Sequence, residues 1–188
     1  MRKWLLVFGI VLAMVLLGMV VYSVQQRAED KLLSPEARAT FEDEDWEMGV
    51  TYSQPSKRGR KIFGALVPFQ QLWRTGANEA TVFTTDVPIQ INGQLVLPGR
   101  YHLLTIPKPD QWTIILNSDI PGWGIEKSTG KTYYNPKTDV LRTEAEVTQT
   151  DQQSEAFVIE FAKEKNQVKM VLQWENTRVE LPIERAIK

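Results

Sequence analysis

The sequence predicts an all-β domain, an antiparallel β-sandwich of jelly-roll or immunoglobulin-like type, preceded by a single N-terminal transmembrane helix. Three observations carry this. One apolar run without a charge stands at the start of the chain. Short stretches alternating apolar and polar residues fill everything after Gly49. Gly, Pro and Asn turn signals separate those stretches. Period two over short runs marks half-buried strands, because successive side chains point to opposite faces of a sheet.

The apolar run is Trp4 to Val24, 21 residues. At 1.5 Å per residue it spans roughly 30 Å as a helix, the thickness of a bilayer core. Arg2 and Lys3 precede it, while Arg27 and Lys31 after it are diluted by Glu29 and Asp30. The positive-inside bias therefore places the N-terminus in the cytoplasm and the remainder outside. A basic start before an apolar stretch is also the pattern of a signal peptide. The run exceeds the usual signal core and no Ala-x-Ala site follows it, although Val21 and Ser23 offer small-residue positions. The expected location is a cell membrane with the domain outside the cytoplasm, or secretion if the segment is cleaved. Residues 1–24 are thus read as anchor or uncleaved signal.

Residues 25–48 carry three basic and eight acidic side chains, net −5. They read as an acidic spacer, with a short helix opening at Ser34-Pro35-Glu36, since serine caps helices and proline suits their first position. Residues 49–188 form the predicted domain. Its strands are expected at 80–85, 89–91, 101–106, 112–116, 141–148, 156–161, 168–174 and 178–183. Asn92-Gly93, between two apolar runs, is the strongest hairpin signal. Further turns fall at Pro98-Gly99, at 107–110, at Lys165-Asn166 and at Asn176.

Composition excludes much chemistry. The chain has no cysteine and one histidine, which removes thiolate nucleophiles, Cys-ligated zinc, disulfides and any site needing two imidazoles. Nothing calls for a metal or a cofactor. A net charge of −1 argues against nucleic acid as a partner. No GxSxG elbow accompanies His102, which reads as a surface or hydrogen-bonded strand residue. The stretch from Gly124 to Thr132 imitates a phosphate loop but spaces its glycines by five residues rather than four. It reads better as part of a long loop or lid from Gly122 to Asp139, its Trp123, Tyr133 and Tyr134 packing on the core or stacking on a sugar ring.

Two segments hold the candidate site residues. Lys57, Arg58, Arg60 and Lys61 put four positive charges in five positions around Gly59. Such a loop could present backbone N–H groups beside cationic heads to an anion, pair with the acidic spacer, or simply be solvated. Trp73-Arg74-Thr75-Gly76-Ala77-Asn78-Glu79 mixes an aromatic, a cation, an amide and a carboxylate. As a regular strand it puts Arg74, Gly76 and Asn78 on one face and Trp73, Thr75, Ala77 and Glu79 on the other. It reads as a structural ion-pair network, or as a pocket with Arg74 clamping an anion, Asn78 supplying an amide and Glu79 an acid or base. Tyr52 and Ser53 would complete that pocket.

The same region resembles a known family. Tyr52-Ser53-x-Pro55, Gly59-Arg60-x-Ile62-Phe63-Gly64, Leu66-Val67-Pro68, Trp73 through Thr81, Pro98-Gly99-x-Tyr101 and Trp112-Thr113-x-Ile115-Leu116-Asn117 are similar to the DUF2911 domain. The resemblance covers nearly everything after residue 49 and implies an exported bacterial protein with no assigned activity. Three functions remain open: a binding module for an anionic small ligand or an envelope protein, a carboxylate-dependent hydrolase of an envelope substrate, and a purely structural envelope protein.

Overall fold

The computed structural model describes residues 2–126, 128–164 and 167–186. Two compact units emerge, residues 1–33 and 34–188. The first is helix α1, Arg2–Leu33, about 48 Å long at the α-helical rise. Val7–Leu33 within it is long and apolar enough to cross a membrane, as a membrane anchor or a signal sequence would be. The helix outruns the apolar stretch because residues 25–33 are mostly good helix formers. Pro35 follows two residues after its end.

The second unit holds nine described strands: β1 Glu36–Asp43, β2 Trp46–Ser53, β3 Ala77–Thr85, β4 Ile89–Ile91, β5 Gln94–Val96, β6 Gly99–Ile106, β7 Gln111–Asn117, β8 Asp139–Glu164 and β9 Gln167–Arg185. The expected all-β class with one N-terminal helix is what the chain adopts. Its finer form is one antiparallel sheet in the order β1-β2-β3-β6-β7-β8-β9-β4-β5. β8 serves two neighbours: residues 139–146 pair with β7 and residues 147–164 with β9. The sheet folds over, so that β1 and β2 meet the distal half of β8. Phe41 lies 6.4 Å from Phe161 and Tyr52 lies 5.8 Å from Phe157, centroid to centroid.

The short helix expected after Ser34-Pro35 is strand β1 instead, and the acidic spacer is largely part of the folded domain. Ala37, Ala39 and Phe41 alternate with charged and polar residues, and their pairing along β2 outweighs the local helix signal. Phe41 stacks edge-on against Trp46 at 5.0 Å. Asn92-Gly93 makes the expected hairpin, with left-handed φ of 48° and 76° joining Ile91 to Gln94. The break expected at Asn176 is a bulge with Glu175 at φ 52° inside a continuous β9. The Lys165-Asn166 turn lies outside the described residues.

The core is aromatic. Trp73, Trp112 and Trp174 meet Phe63 and Phe157, with Trp73–Phe157 at 4.9 Å, Phe63–Trp112 at 5.0 Å and Trp73 stacked on Trp174 at 6.1 Å. Offset and edge-on pairs of this kind add about 0.5–1.5 kcal/mol each beyond their buried area.

Candidate functional site

The sheet has a second covered face. On β6, Tyr101 and Leu103 belong to the aromatic core, so His102 and Leu104 point the other way, yet both are fully buried. Ile115 on β7 does the same. Register places Val82 opposite both Thr51 and His102, and His102 opposite Asn117. A row of four strands therefore carries His102 near its centre on this outer face.

Trp73–Asn78 supplies part of the cover. Trp73 and Thr105 exchange backbone hydrogen bonds of 2.8 and 3.0 Å, extending the ladder beside β6 past the point where its pairing with β3 ends. The Trp73 side chain enters the aromatic core, so Arg74 projects to the face of His102 and Leu104. Beyond it the predicted alternation fails. Thr75 has φ 55°, Gly76 φ 153° and Asn78 φ 53°, and a left-handed β-branched residue is a genuine backbone outlier. Thr75 is held by its Oγ1, which bonds Thr105 Oγ1 at 3.1 Å, and by its carbonyl, which accepts from Thr81 Oγ1 at 2.8 Å.

Residues 118–138 supply the rest of the cover and bear out the long-loop reading. Thr132 Oγ1 donates to Leu72 O at 3.1 Å, Gly124 N to Asn78 O at 3.1 Å and Tyr133 N to Gly124 O at 3.1 Å. Gly124 lies against the Arg74 stem so closely that a Cβ there would sit 2.5 Å from Arg74 Cδ. Asp119 N donates to Asn117 Oδ1 at 2.9 Å, and Tyr133 OH to Asp119 Oδ2 at 2.8 Å. Tyr134 OH donates to Asp139 Oδ2 at 2.6 Å. The two tyrosine hydroxyls thus pin the loop. Lys127 of the phosphate-loop mimic lies outside the described residues.

The predicted site residues separate into three groups. Tyr52 is a core residue whose hydroxyl oxygen accepts from Ile159 N at 3.0 Å and Gln54 Nε2 at 3.2 Å, and burial raises its pKa. Ser53, Asn78 and Glu79 come together around the strand turn. Buried Ser53 Oγ donates to Glu79 Oε2 at 3.2 Å, and buried Asn78 Nδ2 donates to Ser34 O at 3.3 Å. Arg58 and Arg60 lie apart in the basic loop, whose N–H groups already hold an internal acceptor. Lys57 N donates to Glu155 O and Arg58 N to Glu155 Oε1, both at 2.7 Å. Lys57 Nζ pairs with Glu175 at 3.6 Å, so the loop meets acids of β8 and β9. The acidic stretch finds other cations, Asp43 with Lys163 at 2.6 Å and Asp45 with Arg185 at 2.8 Å. Arg60 folds back onto Ser56 O and Lys57 O at 2.9 and 3.0 Å.

Arg74 differs from all of these. It forms no ion pair with the described residues, its Nε is buried without an acceptor, and burial pulls its pKa below the usual guanidinium value. His102, expected as a surface or hydrogen-bonded strand residue, is neither, because the outer face of β6 is covered. Both its ring nitrogens are buried without a partner, and burial lowers its pKa to about 4 against the opposing pull of Asp119. The available signal was the doublet Leu103-Leu104 and the triplet Ile114-Ile115-Leu116: apolar residues on both faces mean that both faces are covered.

The same outer face continues into an open depression of about 510 Å³ lined by Gln70, Ile106, Lys108, Thr113, Arg142 and Glu144 among others. None of the predicted site residues lines it. Lys108 and Glu144 stand 3.8 Å apart across it. Among the described residues, no three His, Asp or Glu side chains are grouped as a metal site would require.

No curated protein and no solved structure matches this chain. The family model described as "Protein of unknown function (DUF2911)" matches residues 34–183, β1 through most of β9. The chain belongs to the DUF2911 family.

Proposed function

We propose that this protein is a membrane-anchored binding module whose domain lies outside the cytoplasm and recognises an envelope component through Arg74. The observation that carries the reading is a guanidinium largely covered by a loop, with no carboxylate partner among the described residues and with a buried, unbonded Nε. An ionised group withdrawn from water costs several kcal/mol unless an opposite charge compensates it. An anionic partner would supply that charge. The left-handed Thr75 beside Arg74 adds support, because strained backbone concentrates at functional sites. The charge-free stretch of α1 and the basic residues ahead of it support anchoring with a cytoplasmic N-terminus.

The test is recovery of cross-linked envelope components by wild-type chain and by Arg74→Ala at matched stability. Loss of specific components from the variant supports the reading. Identical recovery makes the domain a structural element. A hydrolase is the second reading, favoured by the Ser53 hydroxyl on the Glu79 carboxylate. It predicts that Glu79→Gln abolishes turnover of envelope substrates, and undiminished turnover removes it.

A further inference from the structure

On the face covered by residues 118–126 and 128–134, the His102 ring and the Nε of Arg74 find nothing to bond among the described residues. The His102 imidazole is wholly inaccessible, with Nδ1 and Nε2 both orphaned, and Arg74 Nε is orphaned on the same face. An unbonded buried donor or acceptor costs about 1–3 kcal/mol. The loop ties the two together, since Gly124 rests on the Arg74 stem, Tyr133 N bonds Gly124 O, and Tyr133 OH bonds Asp119, the acid nearest His102 in electrostatic effect. Asn117, opposite His102 on β7, offers it no help. Its amide is committed to Asn135 O and Asp139 Oδ1, and its carbonyl to Asp119 N and Thr138 Oγ1.

We propose that Arg74 and His102 form a carboxylate-binding site closed over by residues 118–126 and 128–134. This rests on the binding-module reading and names the chemistry of its ligand. Arg74 supplies the charge and a planar donor fork matched to a carboxylate. A neutral imidazole adds one N–H donor and one acceptor. One guanidinium, a neutral ring and the negative Asp119 suit a singly charged group better than a phosphate dianion. The Arg74 stem under Gly124 makes the loop the element that must lift for entry, and lifting it breaks the hydrogen bonds to Leu72 O and Asn78 O.

His102 is the only histidine of the chain, so its ring resonances need no assignment. The experiment titrates full-length protein in detergent micelles at pH 7 with acetate, succinate and inorganic phosphate, following the imidazole by nitrogen-edited NMR. Expected are saturable His102 shifts with the carboxylates and at least tenfold weaker affinity for phosphate. Arg74→Met should weaken carboxylate binding at least tenfold, and Arg74→Lys, which keeps the charge, should weaken it less. Absence of a saturable shift in the wild-type protein overturns the proposal, independently of whether Arg74→Met folds. Phosphate binding as tight as acetate overturns the choice of ligand. If His102 is silent while Arg74→Ala still loses its envelope components, the carboxylate site fails and the binding-module reading stands. If both experiments are negative, both readings fall.

Discussion

Trp73 and Arg74 are neighbours in the chain and face opposite sides of one sheet. On the Trp73 side, five large aromatic rings interlock and the Trp73 indole N–H donates to Gly76 O at 3.1 Å. On the Arg74 side, burial is nearly as deep at Leu104 and Ile115, but a guanidinium and an imidazole are enclosed with unmet bonding capacity. The first face holds one orphaned donor of its own, Trp112 Nε1, against three orphaned nitrogens on the second, so the second gives up more stability. Such a difference separates a scaffold from a site, because natural sequences break the rule of satisfied buried polar groups chiefly where function requires it.

The largest contrast lies between those two neighbours. Trp73→Ala should lose about 3–5 kcal/mol, the usual range for emptying an aromatic position in a core. Arg74→Met should be neutral or stabilising, since it removes a half-buried cation that has no ion pair with the described residues and whose Nε is orphaned. Chemical denaturation of both variants checks this, and an equal loss at the two positions would erase the distinction between the faces.

His102 gives the next effect, a dependence on pH. Its native pKa of about 4 lies below the ordinary 6.5, so between these values the unfolded chain holds a proton that the native protein does not. Stability therefore rises with pH across this window and falls on acidification from 6.5 towards 4. The full difference is about 3 kcal/mol at 1.36 kcal/mol per pK unit. Denaturation midpoints of wild type and His102→Leu between pH 4 and 7 should diverge by this amount, with the variant flatter.

Gly124→Ala tests the loop that joins the two groups. Its new Cβ would meet Arg74 Cδ at 2.5 Å and Cβ at 3.2 Å, so either the loop or the arginine must move. A cost of about 1–3 kcal/mol follows from overpacking. In the Arg74→Ala background the same substitution should cost far less. Additive effects in this double-mutant cycle would show that the two residues do not touch.

Sequence patterns reveal one face of this sheet and conceal the other. Ile89–Ile91 announces itself by alternation, Tyr101–Ile106 and Trp112–Leu116 by near-alternation broken at Leu103-Leu104 and Ile114-Ile115-Leu116, and Asn92-Gly93 dictates its hairpin. β1 escapes because its alternating Ala37, Ala39 and Phe41 are interleaved with Glu36, Arg38 and Glu42, and two of the three apolar side chains are small. The site is legible only in part. Arg74 stands out as a cation beside Trp73 in a strand-like segment, whereas His102 looks like an ordinary strand residue until a loop more than fifteen residues downstream is seen to cover it. Burial by a distant loop is a tertiary fact that local periodicity does not carry. The basic loop shows the opposite error: four cations in five positions look like an anion site, but the acceptor proves to be Glu155, nearly a hundred residues away.

That contrast sets the smallest expected effect. Arg60 is exposed, and its guanidinium bonds to Ser56 O and Lys57 O within its own loop. Arg60→Ala should change stability by less than about 0.5 kcal/mol, as surface substitutions usually do, and should leave the His102 response to acetate untouched. Arg74→Met should remove that response with little change in stability. Charge density along the sequence favours Arg60 as the anion ligand, whereas desolvation favours Arg74. A water-exposed cation gains little from an ion pair, while a half-buried one without an ion-pair partner gains more. Acetate titrations of the two variants side by side decide which consideration governs. A loss confined to Arg60→Ala would move the site to the basic loop and leave Arg74 as a strained piece of scaffold.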